Sequence, residues 1–298
     1  MKKHKICKIL LVILAIFLCV AFYELLGICV AYKKQPEVSN TTKKETKNGS
    51  WNECSENTER AVIIEKNPEA LLQRVRLIKN AKKEIILSTF AFQSDESGKL
   101  ILGALHDAAD RGVHIRLLVD GMESWIDMEG NPYFYGLSSH ENVEIKLYNK
   151  ANPLKPWKMM GRMHDKYLIA DGKTYILGGR NTYNYFLGDF PGHKNYDRDV
   201  LVVCDEPEKE NSVNQLLEYF ETIWEQEDSG YFHDNKKLAN RKSVKNAVLE
   251  LQNGYQKYFE ENKERICDTD YTDETFETEK IALVSNPIHT GSKEPVVW

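Results

Sequence analysis

The sequence predicts an α/β domain, with a central sheet flanked by helices and preceded by one transmembrane helix. Three observations carry this. Between residues 60 and 121, short apolar runs alternate with segments of helical period, the pattern of a sheet covered by helices. Residues 163–179 give two alternating strands around a tight Asp-Gly turn. Residues 9–23 are all apolar or aromatic, and the run resumes after Glu24 as far as Tyr32.

The apolar stretch reaches the roughly 20 residues a helix needs to span a bilayer. Lys2, Lys3, Lys5 and Lys8 precede it, so the amino terminus is expected on the cytoplasmic side and the body outside. Its length and the lack of a small-residue cleavage site favour an uncleaved anchor over residues 1–34. Residues 35–58 are polar without apolar period and read as a linker.

The body then follows element by element. Residues 60–66 read as a strand, and 68–80 as a helix opened by Pro68. Residues 83–92 read as a buried strand, 94–98 as a turn or cap, and 99–111 as an amphipathic helix closed by Gly112. Residues 113–121 return as a strand. Residues 121–162 are less regular and mix Trp125, Tyr133, Phe134, Tyr135, Tyr148 and Trp157 with Lys150, Lys155, Lys158 and Arg162. They read either as packing with a solvated rim or as a lid that meets lipid headgroups. Residues 213–226 and 237–263 are helical in pattern, and the acidic run 268–279 reads as a solvated connector. Residues 279–287 parallel 59–68: an acid, a base, an apolar run, then Asn-Pro. We therefore expect 268–298 to hold the connector and the start of a second repeat, cut short at Trp298.

Composition narrows the class. The 298 residues suit one or two domains. A 42% hydrophobic fraction with 10% aromatics excludes a mostly disordered chain. A formal net charge of -5 argues against a dedicated nucleic-acid binder. Six cysteines are too few for a disulfide scaffold, and Cys54, Cys204 and Cys267 lack metal-ligand spacing.

The chemistry concentrates in residues 162–181. Period-two geometry puts His164 and Lys166 on one face, an imidazole beside an ammonium. The imidazole can attack phosphorus while the ammonium neutralises non-bridging oxygens. A neighbouring cation also disfavours the imidazolium and keeps a nitrogen lone pair free. Asp171 has the opposite parity and suits fixing the turn. Gly178 and Gly179 let backbone approach an anion, and Asn181 offers an amide donor.

The spacing His164-x-Lys166-x4-Asp171-x6-Gly178-Gly179-x-Asn181 matches the signature of the phospholipase D superfamily. Glycine at position 179, where serine is usual, resembles the cardiolipin synthase branch. Residues 84–121, the run Tyr196-Asp197-Arg198-Asp199, and Leu217, Phe220 and Trp224 are similar to family elements, so the resemblance covers roughly residues 59–298. It implies a first phospholipase D-like domain over 59–267, with one His-Lys-Asp motif. The implied reaction is a two-step phosphodiester exchange through a phosphohistidine, with no metal and no cofactor. Carried over, His164, Lys166, Asp171 and Asp199 form the catalytic set, with His164 taken as the nucleophile. Gly179 and Asn181 join Lys166 around the phosphate. Asp199, or Asp197, resembles the carboxylate that orients the histidine.

The sequence departs from the family in one respect. The family site needs two motifs, and no histidine other than His164 is followed by lysine two positions later. The implied partners are an anionic phospholipid, a membrane, and a second motif supplied in the same chain or by a second one. The leading expectation is a cardiolipin synthase-like half-enzyme. The alternatives are a single-motif nuclease working as a homodimer and an inactive lipid- or partner-binding fragment.

Overall fold

The computed structural model describes residues 2–33, 59–158, 161–206, 211–233, 235–279 and 281–285. The linker read at 35–58, Cys54, and residues 286–298 of the second repeat lie outside the described residues.

Helix α1 is Lys2–Lys33, and its stretch Lys5–Cys29 is long and apolar enough to cross a membrane. Large apolar side chains from Ile6 to Leu26 stand exposed around it, as on a helix made for an apolar surrounding.

The body starts with β1 (Glu59–Ile64), α2 (Asn67–Asn80), β2 (Glu84–Thr89), α3 (Glu96–Asp110) and β3 (His114–Asp120). These elements lie where the apolar periods put them. Pro68 stands in the first turn of α2. The Asp95 carboxylate caps α3 by accepting from the Gly98 N–H at 3.0 Å. Two short helices, α4 (Gly121–Asp127) and α5 (Pro132–Ser138), lead to β4 (Val143–Tyr148). The motif region supplies β5 (Lys166–Ala170), β6 (Thr174–Gly178) and β7 (Asp199–Cys204). The chain closes with α6 (Ser212–Trp224), β8 (Ser229–Tyr231), α7 (Lys242–Glu261), α8 (Lys263–Cys267) and β9 (Phe276–Thr278).

Among the described residues, nine strands form one sheet in the order β8-β4-β3-β2-β5-β6-β7-β1-β9. The pairs β2–β3 and β3–β4 are parallel, and the other pairs are antiparallel. Both faces are covered. Leu71, Ile101, Leu105, Phe134 and Leu251 bury the inner faces of α2, α3, α5 and α7 against one side. Phe220 and Trp224 of α6 meet Ile86, Tyr167 and Val202 on the other. This layering places β5, which follows the motif histidine, at the centre of the sheet.

Three expectations change. The region 121–162 is more ordered than its mixed composition suggests, because β4 pairs with β3 through the register Ile115↔Val143 to Asp120↔Tyr148. The acidic run 268–279 is not merely solvated. Arg76, buried in α2, donates to the Asp268 and Asp270 carbonyls and the Glu274 carboxylate, each at 2.8 Å, and stacks 4.0 Å over Tyr271. Arg60 holds the Thr272 and Thr275 carbonyls, and β9 extends the sheet beyond β1. Residues 281–285 form no strand. Ile281 and Leu283 pack against the core that α6 covers, and the Leu283 N–H donates to Gln215 at 2.9 Å.

Candidate functional site

His164 lies in the coil just before β5, and Lys166 opens the strand. The Lys166 ammonium donates to the His164 carbonyl at 2.6 Å, so the two motif residues brace one another. Phe90, just past β2, forms the shared floor. The His164 ring meets it edge to face at 4.8 Å, the Lys166 Nζ lies 5.4 Å from its centroid, and the Arg162 guanidinium lies at 4.9 Å. An aromatic face next to two cations stabilises their charge while keeping water off one side.

Asp120 at the end of β3 holds the approach to the motif. Its buried carboxylate accepts from Arg162 Nε at 2.9 Å and the Met163 N–H at 3.0 Å, and also from the Met122 and Glu123 N–H groups. Two of these bonds fix residues 162–163, and with them the direction in which His164 leaves the sheet, while the other two hold the carboxylate itself in place.

The electrostatics favour a neutral imidazole beside a cation. Burial lowers the His164 pKa below its usual 6.5, helped by Lys166 and Arg162 and opposed by Asp120. Burial also lowers Lys166, to about 8, against the pull of Asp165 and Asp197. Lys166 is only 7% exposed. An anion entering here would meet a poorly hydrated ammonium, where Coulomb attraction is stronger than in water.

The sheet register explains the glycines. Gly178 stands opposite Asp199, and the pairing Tyr167↔Leu177 brings Lys166 opposite Gly178 one step further out. A Cβ on Gly178 would lie 2.2 Å from Asp199 Oδ1, and one on Gly179 would lie 2.1 Å from Asp197 Oδ2. The pair therefore lets two carboxylates lie against the backbone. The Asn181 Oδ1 accepts from the Ala91 N–H at 3.2 Å. That bond fixes the amide orientation, leaving Nδ2 as the donor.

Two expected members stand elsewhere. Asp171 is at the opposite end of β5 from His164 and takes the Lys82, Lys83 and Glu84 N–H groups at 2.7–3.0 Å. It ties the β5–β6 turn to the start of β2. Asp199, 2% exposed, is held by Arg74 at 2.8 Å and Arg180 at 3.2 Å. Both guanidinium contacts reach Oδ2, and the buried Oδ1, which faces Gly178, takes no hydrogen bond among the described residues. Asp197 lies nearer, close enough for its charge to act on Lys166.

The structure adds residues the motif does not name. Phe90, Asp120 and Arg162 gather around the histidine. Below them, Tyr219 of α6 donates to the Asp165 carboxylate at 2.9–3.1 Å. A cavity of about 240 Å³ opens there, lined by His164, Asp165, Lys166, Gly178, Tyr219 and Leu283 among others. Burial raises Asp165 from 3.8 to about 6, against the Tyr219 hydrogen bond and Lys166. Between these pH values the folded state binds more protons than the unfolded one, so stability falls as pH rises through the window. Asp165→Asn is therefore expected to stabilise the protein at pH 7 by about 2 kcal/mol. The gain should vanish near pH 4, as urea midpoints at the two pH values will show.

Comparison with known proteins places the chain. Residues 74–224, just over half of the chain, match the family described as cardiolipin synthase, phospholipase D-like domain. The chain belongs to that family. It is 30% identical over 212 residues to an uncharacterised protein of Helicobacter pylori, covering 66% of this chain and 39% of that one. It is 29% identical over 171 residues to cardiolipin synthase C of Escherichia coli, covering 53% of this chain and 34% of that one. The chain thus spans well under half the length of these relatives. Among solved structures it is similar to phosphatidylserine synthase from Haemophilus influenzae. That match has 18% identity and a TM-score of 0.48, and covers 74% of this chain and 48% of that one.

Proposed function

We propose that this chain carries one half of a phospholipase D-type site for phosphodiester exchange on phospholipids, of the cardiolipin synthase kind, anchored to the membrane by α1 with its amino terminus cytoplasmic. The observation that carries the reading is the pairing of His164 with a largely desolvated Lys166 on the Phe90 face. The imidazole lone pair attacks phosphorus, and the bond from phosphorus to the leaving alcohol breaks. Lys166 and the Asn181 amide hold the non-bridging oxygens as their charge grows. The leaving alkoxide takes a proton from an acid outside this chain's motif. An incoming alcohol or water then gives up its proton to that same group and displaces the histidine. The second group is the histidine of a second motif, in a longer chain or a second copy related by two-fold symmetry.

The charges set the pH profile. kcat/KM should rise as His164 loses its proton, below pH 6.5, and fall above about pH 8 as Lys166 becomes neutral. A bound phosphate raises the Lys166 pKa again, so the alkaline limb should be weaker in kcat than in kcat/KM. A profile with the same alkaline limb in Lys166→Arg would overturn the assignment, since arginine stays charged.

The direct test is to trap the intermediate. The assembled enzyme, quenched during turnover of headgroup-labelled and phosphorus-labelled phosphatidylglycerol, should carry acid-labile phosphorus on His164. Label on another residue would remove the nucleophile role from His164.

A further inference from the structure

α1 does more than tether. Its outer end touches the body of the protein. Ala21, Glu24, Gly27 and Ile28 are its partly covered positions, spaced as one helical face. Gly27 lies against Pro156 so closely that a Cβ would come within 2.4 Å of the proline ring. The Tyr23 hydroxyl donates to the Leu154 carbonyl at 2.9 Å. The partner is the loop 149–158, which leads within a few residues to His164.

That loop is firmly built. Asn149 adopts a positive φ of 50° and its amide donates to the Lys158 and Gly161 carbonyls, both at 2.6 Å. Lys158 pairs with Asp228 at 2.6 Å. Gly161 runs straight into Arg162 and Met163, which Asp120 holds. Hydrogen bonds through Asn149 and Asp120 therefore connect the loop that touches the membrane helix to the residues just before the motif. At its outer edge the loop presents Leu154, 78% exposed, beside exposed Lys155 and half-covered Trp157.

The position along α1 says what covers Leu154. The apolar stretch Lys5–Cys29 has 25 residues, or roughly 37 Å of helix against about 30 Å of hydrocarbon. Gly27 and Tyr23 belong to its last two turns, at the level where the helix leaves the acyl chains. Aromatic and basic side chains favour that depth.

We infer that the 149–158 loop is a bilayer-docking platform. Leu154 and Trp157 enter the boundary between acyl chains and headgroups, Lys155 meets anionic headgroups, and the His164 face is brought down onto phospholipid phosphates. The inference rests on α1 crossing the membrane and deepens the lipid-substrate reading. It commits to a phospholipid surface as the partner.

Three single-cysteine probes test it. In the full chain, with the cysteines other than buried Cys204 replaced by alanine, Leu14→Cys, Leu154→Cys and Lys173→Cys each receive an environment-sensitive dye. Lys173 lies in the turn at the far end of β5 and serves as the remote site. The protein is placed in phosphatidylcholine–phosphatidylglycerol nanodiscs, with and without lipids carrying a quencher at shallow or deep positions. The expected result is deep quenching at 14, shallow quenching with a blue-shifted emission at 154, and neither at 173. Quenching at 14 without quenching at 154 would overturn the docking platform while leaving the anchor intact. Loss of quenching at 14 would overturn the anchor itself, and the platform with it.

Discussion

His164→Ala is expected to lower phosphodiester turnover by about 10⁴-fold or more, the scale on which removing a covalent nucleophile acts. The measurement belongs in the smallest assembly that turns over a lipid phosphodiester, because one motif supplies one of the two histidines. The loss should appear in kcat, with little change in folding. His164 is exposed, lies in coil, and uses only its backbone carbonyl to hold Lys166, so the unfolding free energy from urea titration should change by less than about 0.5 kcal/mol. Lys166→Ala should differ in kind. It removes the charge that meets the phosphate, so both KM and kcat suffer. It also removes a cation whose pKa is lowered to about 8 by burial. A charged group held below its ordinary pKa costs the folded state stability at neutral pH, and the cost fades as pH rises through the window up to 10.5. Lys166→Met should therefore be inactive yet no less stable than the parent at pH 7. If His164→Ala retained turnover in the assembled enzyme, the phosphohistidine mechanism would fail for this chain.

Local signals make part of the fold legible in the sequence. Helices α2 and α3 carry their starts in sequence, as Pro68 and the Asp95 cap, and each keeps one apolar face. The pairing of His164 with Lys166 is visible because two residues on an extended chain share a side. What remained hidden depends on partners far along the chain. Asp171 binds three N–H groups some 88 residues earlier, so its structural role emerges only once β5 is laid beside β2. The acidic connector looks solvated until Arg76, nearly 200 residues upstream, is folded against Asp268 and Glu274. Phe90 and Asp120 lie in runs that resemble the family, but as an aromatic just past one strand and an acid at the end of another they carry no mark of proximity to His164. The division between Asp197 and Asp199 is likewise a matter of sheet order. Only the β6–β7–β1 arrangement shows which carboxylate faces α2 and its arginine.

That division supports the second large effect, Asp199→Asn. The Asp199, Arg74 and Arg180 side chains are 0%, 5% and 0% exposed. Arg180 also donates to the Asn67 side chain and to the Ile64 and Glu65 carbonyls, tying β6 to the end of β1. Removing the one negative charge leaves two buried guanidinium groups to repel each other, and breaking a buried pair in this way costs about 3–5 kcal/mol. Against a typical domain stability of roughly 5–15 kcal/mol, much of the protein should unfold at moderate urea. Arg74→Met combined with Asp199→Asn should cost less than the sum of the two single changes, because the second substitution removes a charge the first has orphaned. The outcome also separates two roles for the residue. As the orienting partner of His164, Asp199 would be expected to lose kcat at nearly unchanged stability, with a lower histidine pKa in the pH profile. As the anchor of Arg74 and Arg180, it should lose stability first, while any protein still folded keeps its imidazole titration. The buried pairs of its Oδ2 with Arg74 and Arg180 predict the loss of stability.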